Sequence, residues 1–253
     1  MESKGVMIVT GSARGIGAAT ALRAGQAGYH VVVNYVTKRE AAERVVEAIM
    51  SEGGKANAVQ ADIGSEDEVL ALFEAADRFG QLTALVNNAG IVDQAARVDA
   101  MDWARLERMM RINVIGTVAC SREAVKRMST RKGGKGGAIV NVSSAAAKLG
   151  APALYVDYAA SKGAIDTFTV GLAREVADEG IRVTAVRPGI IETEIHASGG
   201  QPERVAQMAS QLPMKRAGTA DEVARAILWL ASDEASYSTG AILDVSGGRS
   251  ILP

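Results

Sequence analysis

Seven short apolar runs punctuate the chain, at 6–10 (VMIVT), 30–34 (HVVVN), 56–60, 84–87, 138–142, 182–186 and 241–245. Most are continuously apolar rather than alternating, the pattern of strands covered on both faces. Between them, apolar residues recur at three- and four-residue spacing, as at Val69, Leu72, Phe73 and Ala76. That spacing predicts helices near 15–28, 38–52, 65–79, 103–130, 157–179 and 220–231. Such alternation predicts right-handed βαβ units and an α/β fold with a doubly wound parallel sheet. A length of 253 residues suits one domain, read here as 1–253.

Two segments interrupt the pattern. The run 131–137 (RKGGKGG) reads as a solvated turn. The stretch 192–214 lies between the last two strands with little strand character, and Gly199-Gly200 followed by Pro202 suggests a hinge. A loop of that length reads either as a lid over a site or as an irregular surface helix.

Composition narrows the class. Lys+Arg number 28 and Asp+Glu 29, so the net charge of −1 gives no pull toward nucleic acid or an anionic membrane. No apolar run approaches the ~20 residues needed to span a bilayer. The apolar run in the first residues is too short for a signal segment. Cys120, the sole cysteine, permits no internal disulfide, and a reducing, cytoplasmic setting is expected. It lies in an apolar helical run and reads as packing. No metal site is expected, because His30 and His196 lack partners at ligand spacing. His196, inside 192–214, is a candidate substrate contact.

The chemistry begins after the first strand, with Gly11-Ser12-Ala13-Arg14-Gly15-Ile16-Gly17. A glycine turn between strand and helix lets backbone approach a pyrophosphate, and the helix start supplies amide donors and a positive dipole end. Gly17 also permits close helix–strand packing. The spacing G-x-x-x-G-x-G is looser at the front than the standard dinucleotide fingerprint. The second strand ends Asn34-Tyr35-Val36-Thr37, with no carboxylate to bond a ribose 2′-hydroxyl or repel a 2′-phosphate. With Arg14 in the turn and Lys38 and Arg39 following, NADP(H) is the expected cofactor, NAD(H) the alternative. Arg14 and Asn34 are expected near the phosphate.

The stretch YVDYAASK holds two tyrosines and one lysine. Residues four apart on a helix rise only about 6 Å and share a face, which pairs Tyr158 with Lys162. Tyr155 shares the face but lies about 10.5 Å away in rise, near a helix start that Pro152 and the cap candidate Asp157 mark. Tyr158 is therefore the expected acid/base. A nearby ammonium is expected to lower its pKa from about 10. Tyr155 reads as a wall of the substrate pocket.

Together these motifs resemble the short-chain dehydrogenase/reductase family: TGSARGIG, Asp62, NNAG at 87–90, Asn113 in RINVIGT, Ser143-Ser144 in NVSS, YAASK, and Arg187-Pro188-Gly189. The match runs nearly the whole chain, nearest to bacterial sugar-dehydrogenase-like and 3-oxoacyl-reductase-like members. The resemblance implies a Rossmann-type sheet of about seven strands flanked by helices, with cofactor at the strands' carboxyl ends. Tyr158 is then the proton donor and acceptor, Lys162 binds the nicotinamide ribose, Ser144 bonds the substrate oxygen, and Asn113 holds a water leading toward Lys162. Asp62 and Ile63 would border adenine, and Asn88, in the stretch Asn88-Ala89-Gly90, the adenosine ribose. Gly189, Ile191 and Thr193, after Pro188, would face the carboxamide. A homotetramer is also implied. Ser144 precedes Tyr158 by fourteen positions, one more than the family spacing, so Ser143 competes for its role and the loop 145–154 must absorb a residue.

The expected function is hydride transfer between NADP(H) and a small alcohol or carbonyl substrate. The alternatives are an NAD-linked sugar or polyol dehydrogenase and a non-catalytic dinucleotide-binding regulator.

Overall fold

The computed structural model describes residues 4–251. Seven strands form one parallel sheet: β1 (Val6–Val9), β2 (His30–Tyr35), β3 (Lys55–Gln60), β4 (Leu82–Asn87), β5 (Gly137–Val142), β6 (Ile181–Pro188) and β7 (Ile242–Val245), in spatial order 3-2-1-4-5-6-7. In register, Val9 pairs with Val33 of β2 on one side and Val86 of β4 on the other. The order reverses at that point, and a crevice opens where the helices following β1 and β4 diverge.

The central strands β1, β4 and β5 are largely apolar and buried because both faces are covered, whereas the edge strands β3 and β7 are more polar and partly exposed. Met7, Val9, Val31, Val33, Val86 and Val140 pack on one face with residues of α1 (Gly15–Gln26), α2 (Arg39–Ser51) and a late helix at Ala220–Ala231. Val6, Ile8, Leu85, Ile139 and Val183 face the other way. There they meet Leu72 and Phe73 of α3 (Glu66–Asp77) and residues of the helices that follow β4 and β5.

The expected single helix over 103–130 is three pieces: α4 (Trp103–Met110), a π-helical turn at Arg111–Gly116, and α5 (Thr117–Met128). The wide turn lets Gly116 meet the backbone of Ile63, where an added Cβ would stand 2.6 Å from the Ile63 carbonyl oxygen. After β5 come α6 (Ala146–Leu149) and α7 (Val156–Val176). The segment 192–214 folds as two short helices, α8 (Ile195–Ser198) and α9 (Arg204–Ala209), over a small cluster of Ile190, Leu212 and Ala217. The final helix, α10 (Ala220–Ala231), starts with a capping box in which Thr219 accepts from the Glu222 amide while Glu222 accepts from Thr219. No described helix is long and apolar enough to cross a membrane.

Candidate active site

The glycine turn is shaped for close approach. Gly11 (φ +62°) lies so near β4 that an added Cβ would stand 2.9 Å from Ala89 Cα, and one on Gly17 would meet Asn88 Nδ2 at 2.5 Å. Gly15 is also left-handed (φ +56°) and lies beneath Thr193. No side chain caps α1, whose first intrahelical bond runs from the Ala18 amide to the Arg14 carbonyl, so the amides of the first turn stay available to an anion.

These elements wall a groove of about 420 Å³. Gly11, Arg14, Gly15, Ile16, Asn34, Tyr35, Asp62, Ile63, Asn88, Ala89, Gly90 and Thr193 all line it. Ser12 and Gly17 are buried beneath it, with the Ser12 hydroxyl donating to the Val9 carbonyl at 2.7 Å. Asn34 is 1% exposed and its carboxamide is fully engaged, accepting from the Gly11 amide at 3.0 Å and donating to the Ala61 carbonyl at 2.9 Å. It shapes the turn, and the groove's cationic rim is Arg14 and Lys38, both exposed and lining it. Arg39 instead pairs with Glu43. Asp62 accepts from the Gly64 amide at 2.8 Å, and Asn88 donates to the carbonyls of Thr10 and Gly11.

A second cavity of about 520 Å³ adjoins the groove, and both are lined by Ile16, Asn88, Gly90, Thr193 and Ile195. Its walls include Ser143, Ser144, Tyr155, Tyr158, Lys162, Pro188, Gly189 and Ile191. The two serines separate here. Ser143 is buried and its hydroxyl donates to the Lys162 carbonyl at 3.2 Å. Ser144 accepts from the Ala146 amide and lines the cavity with Tyr158. In the connection from Ser144 to Tyr158, Ala151 and Ala153 are both left-handed, at φ +44° and +59°.

Lys162 lies with Nζ 5.7 Å from the centre of the Tyr158 ring and donates to the Val142 carbonyl at 2.7 Å. Burial lowers its pKa to about 8, against the pull of the Asp166 carboxylate. Burial also pushes the Tyr158 phenol up, opposed by the Ser144 hydrogen bond. The sequence suggested a lowered phenol. In the protein alone burial is the larger influence on the phenol, and the Lys162 ammonium bonds the Val142 carbonyl.

Asn113 sits in the π-helical turn, fully buried. Its carboxamide accepts from the Ile91 amide at 2.8 Å and donates to the Ile91 carbonyl and to Ser161 Oγ. Ser161 donates in turn to the Tyr158 carbonyl, and its bond from Asn113 ties this turn to α7. Gly90 lies between Asn113 and Lys162: an added Cβ would be 3.3 Å from Asn113 Oδ1 and 3.4 Å from Lys162 Nζ.

Tyr155 ends the chain's approach to α7 and lines the cavity, its hydroxyl donating to the Gly199 carbonyl at 2.9 Å. Asp157 does not cap the helix. It receives a bidentate pair from Arg105 of α4 at 2.7 and 3.2 Å, and Arg105 also donates to the Gln94 carbonyl. The side chain of His196 lies outside the described residues. Sequence reasoning also missed Arg204 and Arg249, which line the cavity from distant parts of the chain. Burial raises the Cys120 thiol to about 12, leaving it inert. Among the described residues, no cluster of three or more His, Cys, Asp or Glu could hold a metal.

A glycine-cradled groove opening onto a cavity that presents a serine, a tyrosine and a lysine defines a nucleotide-dependent oxidoreductase architecture. The chain belongs to the short-chain dehydrogenase/reductase family, oxidoreductases that act on CH–OH and carbonyl groups with nicotinamide dinucleotides. The family model described as Enoyl-(Acyl carrier protein) reductase matches residues 11–250. The chain is 55% identical over 245 residues to the "Uncharacterized oxidoreductase YgfF" of Escherichia coli (strain K12), covering 96% of this chain and 99% of that one. It is 40% identical to "Glucose 1-dehydrogenase 2" of Bacillus subtilis (strain 168), covering 97% and 95%. Against "3-oxoacyl-[acyl-carrier-protein] reductase FabG" of Staphylococcus aureus (strain Mu50 / ATCC 700699) it is 37% identical, covering 95% and 96%.

Proposed function

We propose that the protein is an NADP(H)-dependent oxidoreductase interconverting a small alcohol and its carbonyl compound, with Tyr158 giving and taking the substrate proton. The observation that carries this reading is that Ser144, Tyr158 and Lys162 all line one cavity, which is continuous with the glycine groove. Gly11, Gly15, Ile16, Asn88 and Thr193 would hold the dinucleotide, with Arg14 and Lys38 facing the 2′-phosphate. When bound, that cofactor supplies or accepts the hydride.

The chain's own residues handle the proton and the charge. Ser144 bonds the substrate oxygen. Burial keeps the Tyr158 phenol protonated at neutral pH, able to donate to a carbonyl oxygen. The Ser144 hydroxyl and the Lys162 ammonium stabilise the phenolate left behind. Asn113 is a positioning residue: its bonds to Ile91 and Ser161 fix Gly90 and α7 around Lys162. We read 192–214 as the lid of this site and the whole chain as one cytoplasmic nucleotide-binding domain. Exposed apolar side chains on α4, the π-helical turn and α5, namely Trp103 (79% exposed), Met110, Ile115 and Val118, together with Trp229 and Leu243 elsewhere, favour a homotetramer, which light scattering tests.

Cofactor choice is tested by titrating the protein with NADPH and NADH. NADPH is expected to bind more tightly, and Arg14→Ala to weaken NADPH about tenfold while leaving NADH little changed, the effect of one charge-assisted contact. Equal affinities, or a preference for NADH, refute the assignment.

A further inference from the structure

Beyond Tyr158 the cavity is mainly apolar, walled by Val92, Leu149, Leu154, Ile190 and Met208, yet Arg204 and Arg249 also line it. Partly buried arginines elsewhere in this chain are matched: Arg105 by Asp157, Arg187 by Asp166, Arg127 by Asp77, and Arg182 by a cage of backbone carbonyls. These two are not. Among the described residues, Arg204 donates to Gln201 Oε1 at 2.5 Å and lies 5.7 Å over the Tyr155 ring, with no carboxylate partner. Arg249 has no side-chain hydrogen bond or ion pair with any described residue, and it is partly buried. Burial and the neighbouring charge of Arg204 hold its guanidinium below the ordinary arginine value. Two like charges meeting in a partly dry cavity are unfavourable until an anion joins them.

We propose that the substrate carries a carboxylate remote from its reacting carbonyl, gripped by Arg204 and Arg249, while the apolar wall takes the carbon chain between the two ends. The planar guanidinium fork matches a carboxylate, and a charged hydrogen bond in such surroundings is among the strongest available. The substrate class is thus a keto acid, or the matching hydroxy acid, with an apolar spacer. This inference rests on the alcohol/carbonyl reading above, in which Ser144 and Tyr158 mark the reacting end.

The test uses linear keto acids of increasing length, each beside its methyl ester, with NADPH as reductant. At the length that spans the cavity, the acid is expected to exceed its ester in kcat/KM by about ten- to hundredfold. In Arg249→Gln and in Arg204→Gln that ratio falls toward one, and Arg249→Lys recovers part of it. A purely structural role for either arginine would lower acid and ester together and leave the ratio intact. A ratio at or below one at every length, or one that neither substitution moves, overturns the proposal. Calorimetric titration with heptanoate and 1-heptanol separates this idea from the one beneath it. Heptanoate should bind more tightly than the alcohol, and less so in Arg249→Gln. Preferential binding of heptanoate with no ketone turned over would leave the carboxylate site standing and remove the oxidoreductase reading. Turnover of esters with no preference for heptanoate would do the reverse.

Discussion

The floor of the candidate site and the segment 192–214 beside it are built on different terms. On the floor, Asn113, Ser161 and Lys162 are all buried, and each is tied to at least one neighbouring element by hydrogen bonds. That segment, proposed above as a lid, contains helices of four and six residues. It is held by a small apolar cluster, the Tyr155–Gly199 bond and a 3.4 Å contact from Gln94 to the Ser198 carbonyl. A segment with so few buried contacts opens at much lower free energy than the core. On the proposed reading, proton chemistry would be fixed on a rigid surface and substrate admission left to the part that opens at little expense.

Removing the acid on the floor gives the largest expected effect. Tyr158→Phe should lower kcat by about 10²–10⁴-fold, the usual range for a general acid/base, with cofactor affinity retained. Turnover within a few-fold of the native protein would reassign the proton donor. Next in size is the ion pair that anchors the start of α7. Arg105→Ala leaves Asp157 uncompensated at 3% side-chain exposure, and urea denaturation should register a loss of about 3 kcal/mol. A loss near zero would mean that the start of α7 is not held from α4.

The pH dependence of stability tests the dryness of the floor. The folded pKa of Lys162, about 8, lies below its ordinary 10.5, so between these values the unfolded chain binds more protons. The contribution of Lys162 to stability must therefore rise as pH increases from 8 toward 10. Measured without nucleotide, the native protein should gain on Lys162→Met over that window. A constant difference would indicate a solvated ammonium. The smallest effect belongs to the lid: Tyr155→Phe deletes one hydrogen bond, worth about 1 kcal/mol, and should shift KM severalfold with kcat little altered. A change confined to kcat would place Tyr155 with the floor.

The sheet was legible because its signal is local. Every strand lies within a residue or two of its run, since a strand covered on both faces is rich in apolar residues on consecutive positions. Long-range contacts explain what was not. Nothing in RINVIGT announces a π-helical turn, which depends on Gly116 meeting the backbone of Ile63. Asp157 looked like a cap because caps are read from neighbours, and its true partner, Arg105, is 52 residues away. Tyr158 and Lys162 were paired by helical spacing alone. The direction of the phenol's shift was not, because burial comes from the whole fold. Arg204 and Arg249 stand in unrelated segments, and only the cavity brings them together.

The left-handed alanines at 151 and 153 bear on how such an enzyme diversifies. They lie in a connection fastened at both ends, by the Ala145 amide on the Pro188 carbonyl and by the Ala96 amide on the Leu154 carbonyl. Ala151 and Leu154 line the cavity. Chain added or removed between those fastenings would re-tailor the rim while Ser144 and Tyr158 keep their places. The connection is a splice point at which a lineage could exchange substrates without rebuilding its proton chemistry.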